Sequence, residues 1–168
     1  IDFVYSTLEF KTKHAKILEK KNVKVQVVEA SELAHLGSFE HNDSALAVAH
    51  QKETNINNIK NVLEKELTLV LDDIRDPGNL GTIVRIADWY GIKNIVCSKS
   101  SVDFYNPKVI SATMGSFARV AVFYTDLPEF LGGLNKGSGS DKMPILGAFM
   151  GGTSIHSFSF PKSGILVI

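Results

Sequence analysis

The chain has 168 residues, 44% of them apolar and 21% charged, and its 18 Lys and Arg balance 18 Asp and Glu. This length suits one globular domain, or a domain plus part of another, and zero net charge argues against unspecific nucleic-acid binding through many phosphate contacts. No apolar stretch is long enough to span a bilayer, the N-terminus does not resemble a signal peptide, and the single cysteine, Cys97, excludes an internal disulfide. The reducing cytoplasm is therefore the expected compartment.

The opening residues alternate short strands and helices. Apolar spacing predicts the helices and alternation predicts the strands, and Ser31 is the expected N-cap of the second helix. The predicted strands are 3–5, 23–27 and 45–49, and the predicted helices are 14–21 and 31–36. Residues 1–53 are thus expected to form a small α/β unit whose beginning is missing.

The following segment, residues 54–65, is polar and rich in asparagine, which predicts a linker or a loosely attached helix. From residue 66 onward strands and helices alternate, as in an open, mostly parallel α/β sheet. The predicted strands are 67–71, 94–98, 119–124, 145–149 and 164–168, and the predicted helices are 79–90, 107–113 and 127–131. The glycine- and serine-rich stretch between residues 134 and 143 predicts a mobile surface loop.

Residues 76–85, Asp-Pro-Gly-Asn-Leu-Gly-Thr-Ile-Val-Arg, are the most informative stretch. They follow an apolar strand and lead into a helix opening at Asn79, the layout of a βα turn that handles a ligand. Free N–H groups and the positive dipole at a helix start can hold polar ligands. The stretch is neither a Rossmann fingerprint nor a P-loop. Taken alone, it is equally compatible with an ordinary structural turn.

The helix predicted at 79–90 has one apolar face, formed by Ile83, Ile86, Ala87 and Tyr90. Gly91 follows as its stop signal. Arg85 is expected to point away from that face, toward solvent, a substrate or a partner subunit. A second clear helix start is Asn106-Pro107, with Asn as the N-cap and Pro at the first helical position.

The spacing of the candidate residues gives little support for a metal site or for a catalytic nucleophile. Asp72 and Asp73 would face opposite sides of a strand, so they cannot easily share an ion, and a turn or helix-start role is expected for at least one. The five histidines have no metal-ligand spacing. Cys97 lies in an apolar strand, which favours a buried structural thiol. No metal site is therefore predicted.

The stretch from residue 11 to residue 24 carries lysines with a single acid, Glu19, among them. These lysines are Lys11, Lys13, Lys16, Lys20, Lys21 and Lys24. They are explained either by a solvated helix face or by a patch that contacts RNA phosphates. The RNA-binding interpretation places Lys11, Lys13, Lys16 and Lys20 in that patch.

Residues 69–91 closely resemble motif one of the SpoU (TrmH-like) branch of the SPOUT RNA methyltransferases. The matching run is Leu-Val-Leu-Asp-Asp-Ile-Arg-Asp-Pro-Gly-Asn-Leu-Gly-Thr-Ile, followed by Arg85, Ala87-Asp88 and Gly91. Residues 106–117, Asn-Pro-Lys-Val-Ile-Ser-Ala-Thr-Met-Gly-Ser-Phe, resemble the segment that follows it in that family. Residues 1–53 resemble, less specifically, part of the small substrate-binding domain of ribosomal and transfer RNA ribose methylases. The resemblance thus covers nearly the whole chain.

This resemblance implies a 2′-O-ribose methyltransferase that uses S-adenosylmethionine, acts as a homodimer and has the α/β-knot fold, an exception to the rule against knots. Asn79 and Arg85 match the polar pair of motif one and are the implied catalytic residues. Ile168 is implied to lie at the edge of the cofactor pocket. Ribosomal RNA is favoured over transfer RNA by the N-terminal unit.

In such an enzyme Arg85 could act as the general base or as a phosphate-binding residue. A ribose hydroxyl must lose a proton as it attacks the methyl group, and a base works best with a pKa near the operating pH. A free guanidinium has a pKa above ~12, and lowering it by ~5 units would cost about 7 kcal/mol. The more economical hypothesis is that Arg85 binds the adjacent phosphate and orients the 2′-hydroxyl.

The family pattern continues beyond the last strand with a Gly-Asn-Glu-Gly segment, an Ile-Pro strand and a Ser-Leu-Asn helix, which form the knot and most of the cofactor pocket. Because the sequence ends at Ile168, we expect a C-terminally incomplete methyltransferase domain over residues 66–168, inactive as this fragment alone. A partial RNA substrate-binding domain over 1–53 and a linker over 54–65 would precede it.

Two other classes remain open. One is an RNA-binding protein without catalysis, which would use the lysine patch and the sheet as a scaffold. The other, more distant, is a nucleotide-binding domain of the dehydrogenase type, which requires a G-x-G-x-x-G turn and an acidic residue where Cys97-Ser98-Lys99 stands. Retention of Asn79 and Arg85 favours the enzyme.

Overall fold

The computed structural model describes residues 1–37, 41–134 and 143–168. The chain divides into two compact units, Ile1–Lys52 and Glu53–Ile168. The surface loop predicted between residues 134 and 143 falls almost entirely outside the described residues.

The first unit is a three-stranded mixed sheet with short helices. Its strands are β1 (Phe3–Ser6), β2 (Lys24–Val27) and β3 (Ala45–Val48), and its helices are α1 (Leu8–Lys13), α2 (Ala15–Lys20) and α3 (Ala30–Leu36). The strand order is β2-β1-β3, with β1 parallel to β2 and antiparallel to β3. The small α/β unit predicted from the sequence is therefore observed.

The helix predicted at 14–21 is observed as α2, whereas α1, which ends just before it at Lys13, was missed. The predicted N-cap of α3 was wrong. The N-cap of α3 is Glu29 rather than Ser31. Glu29 forms a capping box with Glu32, whose carboxylate accepts a hydrogen bond from the Glu29 backbone N–H at 2.9 Å, so the helix begins one residue earlier than expected.

The second unit is a five-stranded sheet with helices on both faces. Its strands are β4 (Leu67–Leu71), β5 (Asn94–Ser98), β6 (Ala121–Thr125), β7 (Ile145–Gly147) and β8 (Gly164–Val167), and its helices are α4 (Lys60–Leu63), α5 (Pro77–Trp89), α6 (Pro107–Ala112) and α7 (Leu127–Leu134). Single 3₁₀ turns occur at Ile56–Asn58, Ser116–Ala118 and Ile155–Ser157. The order is β6-β5-β4-β8-β7 and every pairing is parallel, which confirms the predicted mostly parallel α/β sheet.

The core of this unit lies on both sides of β4, whose Leu-Thr-Leu-Val-Leu sequence is apolar toward both faces. On one face, α5 and α6 pack on Leu69 and Leu71. On the other face, α4 and α7 pack around Val70. The central strand is therefore covered on both sides, and only its ends are free to contribute to a site.

The segment at 54–65, predicted to be a linker or a loosely attached helix, contains the short helix α4, which is packed into the second unit. Ile59 and Leu63 are fully buried in the second core cluster, and the Thr54 hydroxyl donates to the Val122 carbonyl at 3.0 Å. The asparagines dominate the composition of this segment, but the apolar residues recur at helical spacing and decide how it packs.

Helix α5 begins at Pro77, two residues before the predicted start, and its buried face is not the predicted one. The buried residues are Leu80, Gly81, Val84 and Ala87, whereas Ile86 and Tyr90 are 49% and 76% exposed. The face with Leu80 and Gly81 is the one that packs against the sheet and α6, because Gly81 allows α6 to approach closely there. Gly91, at φ +76°, follows the C-cap as predicted, and the expected exposure of Arg85 is confirmed.

Candidate functional site

The carboxyl ends of β4 and β8 adjoin at the point where the order of strands along the chain reverses. The Asp72 N–H donates to the Ile168 carbonyl at 3.1 Å, and the Ile168 N–H donates to the Val70 carbonyl at 2.9 Å. In open α/β sheets, ligands bind in the crevice beyond the carboxyl ends of the strands at such a switch point. Ile168 therefore lies beside the loop that leads into α5.

The first turn of α5 is closed by Asp76, whose carboxylate accepts a hydrogen bond from the Asn79 N–H at 2.7 Å. Pro77 occupies the first helical position, where its missing N–H costs nothing. The Asn79 side chain is exposed in this first turn. Asp76 was not predicted as the cap, although an Asp-Pro pair before an apolar-periodic run is a sequence signal for an N-cap.

The loop between β4 and α5 is held by serine hydroxyls from the end of β5. Asp73 has a left-handed backbone, at φ +55°, and its N–H donates to Ser98 Oγ at 2.8 Å. The Ile74 N–H donates to Ser101 Oγ at 3.1 Å, and both serines are buried. These contacts stabilise a backbone conformation that a non-glycine residue seldom adopts. Sequence reasoning gave these serines no role.

The Asp73 carboxylate accepts a hydrogen bond from Arg75 Nε at 2.9 Å. This bond from Arg75, with a further one from Ser100, lowers the pKa of Asp73. Asp73 is thus a turn residue paired with a cation, in line with the turn role expected for one of the two aspartates. Among the residues that the structure describes, no group of three His, Cys, Asp or Glu side chains is placed to hold a metal ion.

Close packing and charged hydrogen bonds hold helix α5 against residues 106–117 and the turn that follows them. Gly81 lies against α6 so closely that a Cβ there would be 2.8 Å from the Val109 carbonyl oxygen. Farther along the helix, Asp88 accepts hydrogen bonds from Ser116 Oγ at 2.8 Å and from Arg119 Nη2 at 2.6 Å. The two segments singled out in the sequence are therefore neighbours.

The Asp88 carboxylate is occupied on both oxygens. Arg119 Nε lies 3.0 Å from Oδ1 and from Oδ2, and the Ser116 hydroxyl donates to Oδ2. The hydrogen bonds from Arg119, and then from Ser116, lower the pKa of Asp88. This contact also explains why β6 starts at Ala121 rather than at the predicted residue 119, because Arg119 turns toward α5. Neither Asp88 nor Arg119 was given a role from the sequence, although Asp88 is part of the motif-one match.

Arg85 differs from the other two arginines of the chain. Arg75 and Arg119 each pair with an aspartate, whereas Arg85 makes no ion pair or side-chain hydrogen bond within the described ranges. It is exposed on α5 and is followed, one turn on, by Trp89, which is 86% exposed. Its guanidinium is available to an anionic ligand.

The remaining predicted positions lie elsewhere. Lys11 and Lys13 end α1, and Lys16 and Lys20 lie on α2, so all four belong to the first unit, where they are exposed. Cys97 is buried in β5, and burial raises the pKa of its thiol to about 12, which fits the predicted structural thiol.

A largely apolar groove of about 990 Å³ runs beside the second half of α5. Its walls include Leu69 from β4, Ile86 from α5 and Leu166 from β8, and it reaches Ile168. Its charged residues, Lys65, Glu66, Lys93 and Lys162, lie near the amino ends of the strands.

Within the described part of the chain, no helix is long and apolar enough to cross a membrane.

This fold is shared with solved methyltransferases. The SpoU methyltransferase AviRb from Streptomyces viridochromogenes, solved with AdoMet, matches with a TM-score of 0.80 at 20% identity, over 99% of this chain and 65% of that chain. A putative RNA methyltransferase of the TrmH family from Porphyromonas gingivalis gives a TM-score of 0.73 at 26% identity, over 99% and 63%. The fold is therefore of the SPOUT methyltransferase type.

The family follows from the sequence of the second unit. Residues 66–168 match the model of the SpoU rRNA Methylase family, and the chain belongs to that family. The "rRNA methyltransferase 3, mitochondrial" of Xenopus tropicalis is 48% identical over 56 residues, which are 33% of this chain and 14% of that protein. The "23S rRNA (guanosine(2553)-2'-O)-methyltransferase RlmP" of Bacillus subtilis is 32% identical over 85 residues, 51% of this chain and 32% of that protein. The matched part of the chain spans about a seventh of the first relative and about a third of the second.

Proposed function

We propose that this protein is an RNA 2′-O-ribose methyltransferase that uses S-adenosylmethionine and acts on ribosomal RNA. The observation that carries the proposal is the exposed Arg85, which has no partner among the described residues and lies on α5 within the family-matched region. Asn79 lies in the first turn of the same helix. Ribosomal RNA is preferred over transfer RNA because relatives in two organisms are named for it.

The roles of the two residues follow from their chemistry. The guanidinium of Arg85 binds the phosphate next to the target ribose with two parallel hydrogen bonds, a geometry that lysine cannot reproduce. Fixing the phosphate orients the 2′-hydroxyl for attack on the methyl carbon. Asn79 hydrogen-bonds the ribose near the helix N-terminus, where the helix dipole favours the oxygen as it becomes negative. The hydroxyl proton passes to solvent or to a base outside this pair.

The cofactor site is assigned to the carboxyl ends of β4 and β8. Ile168 offers a half-exposed apolar side chain there, and Asp72 offers an exposed carboxylate. An adenosine needs an apolar surface for its ring and acceptors for its ribose hydroxyls, so these residues fit the rim of such a site. When bound, S-adenosylmethionine supplies an activated methyl group.

The lysines of the first unit are assigned to RNA binding. Lys11, Lys13, Lys16 and Lys20 are exposed on consecutive short helices, and each phosphate contact contributes to a salt-dependent affinity. Changing all four to glutamine is expected to weaken RNA binding and to flatten its salt dependence. An unchanged salt dependence would assign them to an ordinary solvated face.

The full-length protein is further proposed to form a homodimer in the cytoplasm. Ile86, Trp89 and Tyr90 are exposed on α5, and a cluster of exposed apolar residues on one helix is typical of a protein interface. The lone buried Cys97 fits a reducing compartment. Light scattering of the full-length wild type and of its Trp89→Ser variant tests the dimer, and a monomeric full-length wild type would refute it. Cell fractionation tests the compartment, because some relatives are named as mitochondrial proteins.

The activity is tested with the full-length protein, by transfer of a tritiated methyl group to unmodified ribosomal RNA transcripts and by titration of S-adenosylhomocysteine. Arg85→Ala is expected to lower kcat/KM by about 100-fold or more, as does loss of a single transition-state donor, and Arg85→Lys by less. Arg75→Ala is the matched control, because that guanidinium is already paired with Asp73. RNA binding by the full-length protein without methyl transfer or cofactor binding would favour the non-catalytic alternative.

A further inference from the structure

Arg85 has a carboxylate close by on its own helix. Asp88 follows it by three residues, and on an α-helix such residues are neighbours with Cβ atoms about 5–6 Å apart. An arginine and an aspartate at this spacing commonly pair. In this chain they do not pair, although both belong to α5.

The reason lies in the contacts that Asp88 makes to the other motif. Arg119 binds both of its oxygens and Ser116 donates to one of them, and the side chain is only 20% exposed. A fork-shaped guanidinium bound to a carboxylate is among the strongest side-chain pairings in proteins. Arg119 therefore competes with Arg85 for the same carboxylate and holds it.

We infer that Arg119 is a positioning residue that sequesters Asp88, so that the neighbouring Arg85 stays free to bind an RNA phosphate. This inference rests on the proposed function of Arg85 and deepens it, because it gives the Met-Gly-Ser-Phe-Ala-Arg segment a role in the same site. The segment reaches α5 through Ser116 and Arg119 after a left-handed turn at Met114 and Gly115, with φ of +51° and +91°. Without Arg119, Asp88 pairs with Arg85 and neutralises it.

The first readout is the Nε–Hε signal of Arg85 in ¹H–¹⁵N NMR spectra of the protein, identified by its loss in Arg85→Lys. In the wild type this proton exchanges freely with water. In Arg119→Gln it becomes protected, because Asp88 accepts it. In the double variant Asp88→Asn/Arg119→Gln the protection is lost again. An unprotected Arg85 proton in Arg119→Gln would overturn the inference, and this readout needs neither RNA nor cofactor.

The second readout is affinity for a fluorescein-labelled single-stranded uridine 12-mer, measured by anisotropy at several salt concentrations. Loss of one charged contact weakens binding about tenfold and lowers the salt slope by about 1. Arg119→Gln is expected to reproduce that loss, as Arg85→Gln does, and Asp88→Asn/Arg119→Gln is expected to restore wild-type affinity.

The control separates this competition from net charge. Arg119→Gln/Glu129→Gln has the same net charge as the rescued variant, but it removes an exposed acid on α7 instead of Asp88. It is expected to stay weak. Equal recovery in both double variants would overturn the inference in favour of a general charge effect. If Arg85→Gln itself binds normally, the proposed role of Arg85 fails, and the NMR signals alone then decide whether Arg119 controls the pairing.

Discussion

Replacing Gly81 with alanine tests the contact between α5 and α6 that holds the two motifs together. An added Cβ would overlap the Ala112 Cβ and would lie 2.8 Å from the Val109 carbonyl oxygen. Neither atom is the far end of a flexible side chain, so the two helices must move apart to accommodate it. The close approach, rather than any unusual backbone angle, is the reason for glycine at this position.

The size of the effect is a difference between two terms. Overpacking a tight contact costs about 1–3 kcal/mol, and replacing glycine by alanine inside a helix recovers about 1 kcal/mol. With two contacts inside 3.0 Å, we expect Gly81→Ala to be destabilising by about 1–2 kcal/mol. Gly132→Ala in α7 is the matched control, because no atom lies within 4 Å of its added Cβ, and it should stabilise by about 0.5–1 kcal/mol.

Urea denaturation followed by circular dichroism at 222 nm measures both variants. A Gly81→Ala protein at least as stable as the wild type, beside a stabilised Gly132→Ala, would refute the packing argument. Adding Ala112→Gly to Gly81→Ala removes the closer contact and should recover part of the loss as a favourable coupling energy in a double-mutant cycle. Absence of coupling would place the cost elsewhere.

Three further predictions concern the second unit. Leu63→Ala should lower the free energy of unfolding by about 2–5 kcal/mol, since the side chain is fully buried. A loss below about 0.5 kcal/mol in urea titrations, which is typical of surface substitutions, would restore the linker interpretation of residues 54–65. Asp76→Ala should cost about 1 kcal/mol through loss of the N-cap on α5, whereas Asp76→Asn should cost little, and equal losses would argue against the cap. Burial raises the pKa of Cys97 to about 12, so its thiol should react with Ellman's reagent at pH 8 only after unfolding. A native thiol that reacts rapidly at pH 8 would contradict its burial. Because the pKa of Cys97 is higher in the folded state, its contribution to the free energy of unfolding is complete below the ordinary thiol pKa and declines as the pH rises toward 12.

Much of the second unit was predictable because its signals are local. The strands Leu67–Leu71 and Asn94–Ser98 agree with the predicted ranges to the residue, since each is an unbroken apolar run between polar turns. The start of α6 was equally clear, because Asn106 caps and Pro107 begins the helix. Such signals depend on a few adjacent residues and need no knowledge of the rest of the fold.

The buried face of α5 was not predictable in the same way. Ile83, Ile86 and Tyr90 have helical spacing as good as that of the residues that are buried, so periodicity alone leaves two candidate faces. The choice between them is made by packing against β4 and α6, where Gly81 allows the close approach. A stripe of apolar residues therefore identified the helix without identifying what it packs against.

The sequence by itself determined the family motif, the parallel α/β class and the exposure of Arg85, because each depends on a short run of residues or on their spacing. Only the tertiary structure decided which groups hold that site in place. Asp88 meets Arg119 across 31 positions of sequence, and Ser98 and Ser101 hold a loop 25 and 27 residues before them. Contacts of this kind are formed by the crossing of distant elements, and no local pattern of charge or hydrophobicity specifies which distant partner a side chain will have.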